Sequence, residues 1–194
     1  LPAKLGFALA DFNLDGHEEI FSGEGAAELH LNKFEAGRDF ARTPVMLGKK
    51  NRDWRPLAWD AANTWLTALT ARGIAVADFD GDGDQDVVIA QNNGHPLLLR
   101  NDQRSGSPWL RLRLIAKHGH PEAGGARVEV HTPRHVFVRT VAPAMGFMAQ
   151  SESTLTFGLG DDARVRQIVV TWPDGARQEI RPDGINRLMV ITQP

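Results

Sequence analysis

A gapless internal repeat is the feature that most constrains how this chain can fold. Residues 6–21 read GFALADFNLDGHEEIF and residues 73–88 read GIAVADFDGDGDQDVV, an offset of 67 positions. Seven of the sixteen aligned positions are identical, and four more exchange one apolar residue for another. Each copy predicts an apolar strand, an acidic loop and a second apolar strand. A repeat of this length with several strands in each unit is typical of β-propeller blades or stacked β arrays.

The second copy continues into a third apolar segment, which begins at Pro96 after turn residues at 92–94. Strands joined in succession by short turns predict an antiparallel β-meander. The stretch 33–72 between the copies is open to two interpretations. We favour outer strands and insertions of the first unit, and the alternative is a short helix over 60–72 that ends at a glycine.

The second acidic loop, residues 78–86, has the spacing of an oxygen-ligated cation site. Oxygen-bearing side chains stand at loop positions one, three, five and nine, which are Asp78, Asp80, Asp82 and Asp86. Gly83 at position six permits the left-handed backbone of a tight turn, and Asp84 at position seven would offer its backbone carbonyl. Carboxylates this close repel one another, and a hard divalent cation removes that repulsion. Ca²⁺ tolerates irregular oxygen shells and is predicted ahead of Mg²⁺.

The first acidic loop is a weaker version of the same site. Its candidate ligands are Asp11, Asn13, Asp15, the carbonyl of His17, and Glu19. With three charged ligands in place of four, we expect lower Ca²⁺ affinity here, and a solvated acidic turn without metal is the alternative. An EF-hand is excluded for both loops, because position twelve is Ser22 or Ile89 instead of Glu and the flanks are strand-like.

The chain changes character after the polar, turn-rich segment 101–108. Residues 1–107 carry 11 basic and 16 acidic side chains, a net of −5, whereas residues 108–194 carry 11 and 8, a net of +3. Seven short strands are predicted in the second half, at 109–115, 125–131, 135–142, 154–157, 165–172, 177–180 and 187–192. Their number and spacing predict a β-sandwich. We therefore expect two domains, 1–105 and 108–194, in an all-β chain.

These motifs resemble known families. The two repeat copies are similar to FG-GAP/VCBS repeats, the calcium-loop blades of β-propellers, over roughly residues 1–105. The remainder resembles the ASPIC/UnbV domain that follows such repeats in the cartilage acidic protein 1-like family. The matching segments are WLRLRL from Trp109, GARVEV from Gly125, the Gln150–Ser151 pair, FGLG from Phe157 and VVTWPDG from Val169.

The resemblance implies Ca²⁺ binding, a secreted or periplasmic location and an interaction role without catalysis. It also implies a propeller of about seven blades, of which residues 1–105 hold about one and a half. An incomplete propeller leaves sheet edges uncovered. We therefore expect a fragment of a longer protein, or a chain that packs against a partner or the missing blades.

Other chemistries are less well supported. No nucleophile motif such as GxSxG occurs, so we expect no enzyme. The net charge of −2 argues against nucleic-acid binding, and no apolar run is long enough to span a membrane. Gly158 and Gly160 are interpreted as a tight turn and the seven histidines as surface residues. Trp109 and Trp172 are predicted in the sandwich core, whereas core packing, glycan stacking and protein contact all remain open for Trp54, Trp59 and Trp65.

Seven arginines of the second half allow three interpretations: a solvated face, a site for an acidic partner or anionic glycan, or a surface that docks on the acidic half of the same chain. They are Arg111, Arg113, Arg127, Arg134, Arg139, Arg164 and Arg166. The function that we predict from the sequence is a Ca²⁺-stabilised extracytoplasmic binding or scaffold module that mediates protein interaction. A carbohydrate-binding module and an accessory subunit of a larger, membrane-associated complex are the alternatives.

Overall fold

A computed structural model describes residues 6–23, 45–50, 53–56, 71–91, 94–102, 106–146 and 148–194. All regular secondary structure in these ranges is β-strand, which confirms the predicted all-β fold class. The alternatives for residues 60–72 fall outside the described residues except at 71 and 72, which begin a strand. Trp59 and Trp65 also lie outside them.

The repeat copies form two antiparallel sheets. The first contains β1 (Gly6–Ala10), β2 (Glu19–Gly23), β3 (Val45–Lys50) and β4 (Asp53–Pro56) in that order. The second contains β5 (Ala71–Ala77), β6 (Asp86–Gln91) and β7 (Leu97–Leu99), again in chain order. The predicted meander is therefore confirmed. Each acidic loop joins the first two strands of its sheet.

Small residues let β1 and β2 of the first sheet pack on β5 of the second. A Cβ at Gly6 would lie 2.8 Å from Ile74 Cγ1, and one at Gly23 would lie 2.4 Å from Ala71 Cβ. These contacts belong to one buried cluster, made of Ala8, Ala10, Phe12, Phe21, Ala71, Ile74, Val76, Val87 and Ile89. Alanine and glycine at the repeated positions thus hold the two sheets at close range.

The second half is a β-sandwich of seven strands. These are β8 (Trp109–Ile115), β9 (Arg127–His131), β10 (Val136–Thr140), β11 (Leu155–Gly158), β12 (Gln167–Thr171), β13 (Arg177–Ile180) and β14 (Leu188–Thr192). One sheet has the order β10-β9-β12-β13, and the other has the order β11-β8-β14, in which β14 and β8 are parallel. Alternate residues of β8, such as Leu110 and Leu112, face the shared core.

The two tryptophans predicted in the sandwich core have different surroundings. Trp172 is buried within it, as predicted. Trp109 lies at the start of β8 but faces away from the sandwich core. Its indole lies against Gly83, where an added Cβ would be 2.1 Å from Trp109 Cε2. The prediction for Trp109 is therefore wrong: its indole packs on the second acidic loop. Strand alternation, which turns Leu110 inward, turns Trp109 outward.

Asp162 ties the β9–β10 hairpin to the loop before β12. Its carboxylate, 4% exposed, accepts hydrogen bonds from Thr132 Oγ1 at 2.6 Å and Arg134 Nε at 2.7 Å, and His135 Nδ1 lies 3.2 Å away. The hydroxyl of Thr132 and the guanidinium of Arg134 lower the pKa of Asp162 to about 2. A carboxylate with a lowered pKa stabilises the fold above its unfolded pKa, and this stabilisation disappears as the pH falls through the folded pKa.

We therefore expect Asp162→Asn to lower the free energy of unfolding at pH 7, by an amount that shrinks as the pH falls from about 4 towards about 2. Urea denaturation across this pH range measures it. The neighbouring, exposed Asp161 gives the matched control, and Asp161→Asn should show no such trend. A loss of stability that is the same at every pH would contradict the assignment.

Candidate metal centre

The second acidic loop gathers three of its predicted ligands. Carboxylate oxygens of Asp78, Asp80 and Asp86 all lie within 4.8 Å of one another. The end of β5 positions Asp78 and the start of β6 positions Asp86, so the meander itself brings the ends of the loop together. Gly83 has a φ of +104°, as its predicted role at position six requires.

The other two acidic side chains of this loop are not in that group. Asp82 is exposed, and its Oδ1 accepts a hydrogen bond from the backbone N–H of Asp84 at 3.2 Å. The side chain of Asp84 is buried. A site here therefore contains three clustered carboxylates, with Asp82 on the solvent side.

Backbone N–H groups fix the first and last carboxylates of the loop. Asp78 Oδ1 accepts from Gly81 at 2.6 Å, and its Oδ2 accepts from Gly83 at 3.0 Å. Asp86 Oδ2 accepts from Phe79 at 2.8 Å, and its Oδ1 accepts from Asn101 at 2.7 Å. These bonds preorganise the loop around its acidic centre.

The first loop repeats this arrangement with different side chains. Asp11 Oδ2 accepts from Gly16 N–H at 2.9 Å, and Glu19 Oε2 accepts from Phe12 N–H at 2.9 Å. Asn13 Nδ2 donates to Asp15 Oδ2 at 3.2 Å and to Glu19 Oε1 at 3.5 Å. Asn13, Asp15 and Glu19 are thus brought together, with the amide donating to both carboxylates.

His17, the remaining candidate in this loop, has an exposed side chain, and its backbone N–H donates to Asp15 Oδ1 at 2.8 Å. The imidazole Nδ1 lies 3.2 Å from the same carboxylate oxygen. The loop prediction assigns the backbone carbonyl of His17, and not the imidazole, to the cation.

Burial makes the acidic pair of the first loop electrostatically costly. Asp11 and Glu19 are 1% and 2% exposed. Loss of water raises the pKa of Asp11 to about 6, and loss of water together with the charge of Asp11 raises the pKa of Glu19 to about 8. Within the part of the chain that the structure describes, Asp11 Oδ1 is buried without a hydrogen-bond donor. A hard cation would satisfy this oxygen and neutralise the pair, so the donor set fits Ca²⁺.

The sandwich covers the first carboxylate of the second loop through Arg111. The Arg111 side chain, 7% exposed, donates from Nη1 to Asp78 Oδ2 at 2.6 Å and from Nε to Thr156 Oγ1 at 3.2 Å. Its Nη2 contacts both carboxylate oxygens of Glu152. Sequence alternation marks Arg111 as a surface residue of β8 but does not identify the carboxylates that it meets.

The sandwich meets the first loop in a parallel way. Gly158 N–H donates to Asp11 Oδ2 at 3.1 Å, and Gly160 N–H donates to the carbonyl of Leu14 at 3.2 Å. Arg139 Nε lies 3.3 Å from Glu18 Oε1, while its Nη2 is 3.9 Å from Asp11 Oδ2. Both acidic loops are therefore in contact with the sandwich.

The seven arginines separate into three groups. Arg111 and Arg139 dock on the acidic half, which the third interpretation predicts. Arg127 pairs with Glu129, and Arg134 pairs with Asp162, both within the sandwich. Among the described residues the structure places no ion pair on the remaining three, Arg113, Arg164 and Arg166.

No helix long and apolar enough to cross a bilayer occurs in the described ranges.

Comparison with known families matches both halves of the chain. A model described as ASPIC and UnbV matches residues 116–194. Models of an FG-GAP-like repeat and of an FG-GAP repeat match residues 11–89 and 70–110.

Three relatives carry the name cartilage acidic protein 1. The Mus musculus protein is 30% identical over an alignment 240 residues long, which covers 97% of this chain and 37% of the relative. The Homo sapiens protein is 30% identical, and its alignment covers 97% of this chain and 36% of the relative. The Xenopus tropicalis protein is 32% identical, and its alignment covers 63% of this chain and 20% of the relative. The matched region thus spans little more than a third of the length of the Mus musculus and Homo sapiens proteins and a fifth of the Xenopus tropicalis protein.

Proposed function

We propose that this chain, which carries FG-GAP repeats followed by an ASPIC/UnbV domain and is related to cartilage acidic protein 1, is a non-catalytic, Ca²⁺-stabilised module for protein interaction. The observation that supports this most is the gathering of Asp78, Asp80 and Asp86 in a preorganised loop. The buried, unsatisfied Asp11 Oδ1 supports a second site in the first loop.

In this proposal the cation supplies charge neutralisation and no reaction chemistry. Asp78, Asp80 and Asp86 hold it in the second loop, with Asp82 and the carbonyl of Asp84 completing the shell. Asp11, Asn13, Asp15, Glu19 and the carbonyl of His17 hold it in the first. Because each loop joins two strands of one sheet, a bound ion fixes the geometry of that sheet and of the surface next to it.

The proposed module has two domains, 1–105 and 108–194, and acts outside the cytoplasm, in a secreted or periplasmic setting. Two features are consistent with an interaction role. Apolar side chains such as Phe79, Leu98 and Val190 are more than half exposed, and relatives of about three times this length provide further surface that could pack there. The partner is accordingly proposed to be a protein or further propeller blades.

Titration calorimetry with Ca²⁺ tests the metal function and ranks the loops. We expect Asp80→Ala to weaken the tighter site by about tenfold to a hundredfold, because it removes a charged ligand worth roughly 1.4–2.8 kcal/mol. Asn13→Ala removes a neutral ligand and should weaken the other site less. Asp161→Ala, an exposed carboxylate outside both loops, is the control. Comparable losses in the two loop variants would refute the ranking, and no binding heat in the wild type would refute the function.

A further inference from the structure

Arg111 is an unusual residue because its charge is buried between the two halves of the chain. Its neighbours Leu110 and Leu112 belong to the sandwich core, so strand alternation points Arg111 away from that core and towards the second acidic loop. Buried arginines are rare unless they are paired. This one meets two carboxylates, Asp78 and Glu152, and a hydroxyl.

The backbone holds these charges in one arrangement. Asp78 N–H donates to Glu152 Oε1 at 3.1 Å, and Glu152 N–H donates to the carbonyl of Val76 at 3.0 Å. Ser151 Oγ accepts from Val76 N–H at 3.0 Å. Residues 151 and 152 of the sandwich therefore run beside the end of β5, and they keep Arg111 next to the first ligand of the loop.

The two loops differ in the positive charge that the sandwich supplies. In the second loop the guanidinium of Arg111 is hydrogen-bonded to Asp78 at 2.6 Å. In the first loop Arg139 pairs with Glu18 and remains 3.9 Å from Asp11, whose Oδ1 stays unbonded among the described residues. The second loop thus has a cationic side chain hydrogen-bonded to its first carboxylate, whereas Arg139 reaches the first carboxylate of the first loop only as a longer ion pair.

We propose that Arg111 is the built-in counter-cation of the second loop and that it opposes divalent-cation binding there. The sandwich would thereby set the affinity of the adjacent β5–β7 sheet for the cation. The inference rests on the proposed Ca²⁺ function. Arg111 and a bound cation would share Asp78, and like charges a few ångströms apart in a partly buried site repel strongly. Glu152 keeps Arg111 paired when the cation takes Asp78, which limits the repulsion without removing it.

The packing of Trp109 on Gly83 provides a local probe. Terbium bound in the second loop lies close to this indole, so Trp109-sensitised terbium luminescence reports this site, and competition with Ca²⁺ then gives the Ca²⁺ affinity. Trp109→Phe should abolish most of the luminescence, and this loss would assign the signal to the second loop. The full chain is used for every variant.

We expect Arg111→Gln to tighten Ca²⁺ binding at this site by about threefold or more, because a positive charge next to the cation is lost. Arg111→Lys, which keeps the charge, should stay near the wild-type value. Arg113→Gln is the matched control, since Arg113 lies two residues along the same strand, is exposed and makes no ion pair among the described residues. Its affinity should also be unchanged.

A second variant gives the opposite sign. Glu152→Gln leaves Arg111 with less compensating charge, so Ca²⁺ binding should weaken by about threefold or more. If the ion pair had a purely structural role, the Ca²⁺ affinity of both variants would shift in the same direction. That result, or an unchanged affinity in both variants, would overturn this inference and leave the proposed function standing. A wild-type protein that gives no Trp109-sensitised signal displaced by Ca²⁺ would overturn the proposed cation site of the second loop together with this inference.

Discussion

Replacement of Gly158 by alanine is expected to lower the free energy of unfolding by about 3 kcal/mol or more. A Cβ at this position would lie 2.4 Å from Asp11 Oδ2 and 2.4 Å from the carbonyl carbon of Leu14. Leu14 is buried and has a φ of +58°, so its backbone has little freedom to retreat. Gly158 ends β11, whose core residue Phe157 fixes the other side. The substitution therefore forces the first loop away from the sandwich.

Urea denaturation followed by circular dichroism measures this effect. Gly124→Ala is the matched control, because no atom of the described residues lies within 4 Å of a Cβ at Gly124 and its φ is not positive. That variant should stay within about 0.5 kcal/mol of the wild type. Equal stability of Gly158→Ala and Gly124→Ala would show that the contact between loop and sandwich contributes nothing to the fold.

The local pattern of the sequence was sufficient for the strands and for the position of the acidic loops. The predicted strands 109–115 and 177–180 match β8 and β13 in full, because alternation and flanking turns are local signals. The positive φ of Gly83 follows from its place in the loop in the same way.

Docking of arginines on the acidic half is one of the interpretations that the sequence allows, but the individual contacts could not be predicted, because they join residues far apart in the chain. Arg111 reaches Asp78, 33 positions away, and Asp11 is met by Gly158, 147 positions away. The sequence predicts that Gly158 belongs to a tight turn, but the structure places it at the end of β11, where a side chain would collide with Leu14. Alternation predicts which side chains leave the sandwich core, but not what they meet.

The same limit applies to the charges of the first loop. The sequence predicts a Ca²⁺ site of lower affinity, with a solvated acidic turn without metal as the alternative, since it shows only ligand types. The structure buries Asp11 and Glu19 close to each other, with Asp11 in contact with Gly158 of the sandwich. Fewer charged ligands still predict lower affinity, and the burial of the two carboxylates adds a repulsion that a bound cation would relieve.

Ca²⁺ removal is therefore expected to have a large effect on the stability of the whole chain. A cation at 100 times its dissociation constant adds about 2.7 kcal/mol for each site that exists only in the folded state. Two such sites would raise the Tm of a domain of this size by about 10 °C or more. Glu19→Gln removes a carboxylate ligand of the first loop and should reduce this Ca²⁺-dependent rise, whereas Asp161→Asn should leave it unchanged.

The most direct test of Ca²⁺ stabilisation is a calorimetric melt of this chain in saturating Ca²⁺ and in chelator at the same ionic strength. We expect the transition in Ca²⁺ to lie about 10 °C or more above that in chelator, and the difference to shrink in Asp80→Ala and in Glu19→Gln. A Tm that is the same in both conditions would contradict the proposed Ca²⁺ stabilisation, because neither acidic loop would then bind a cation that stabilises the fold.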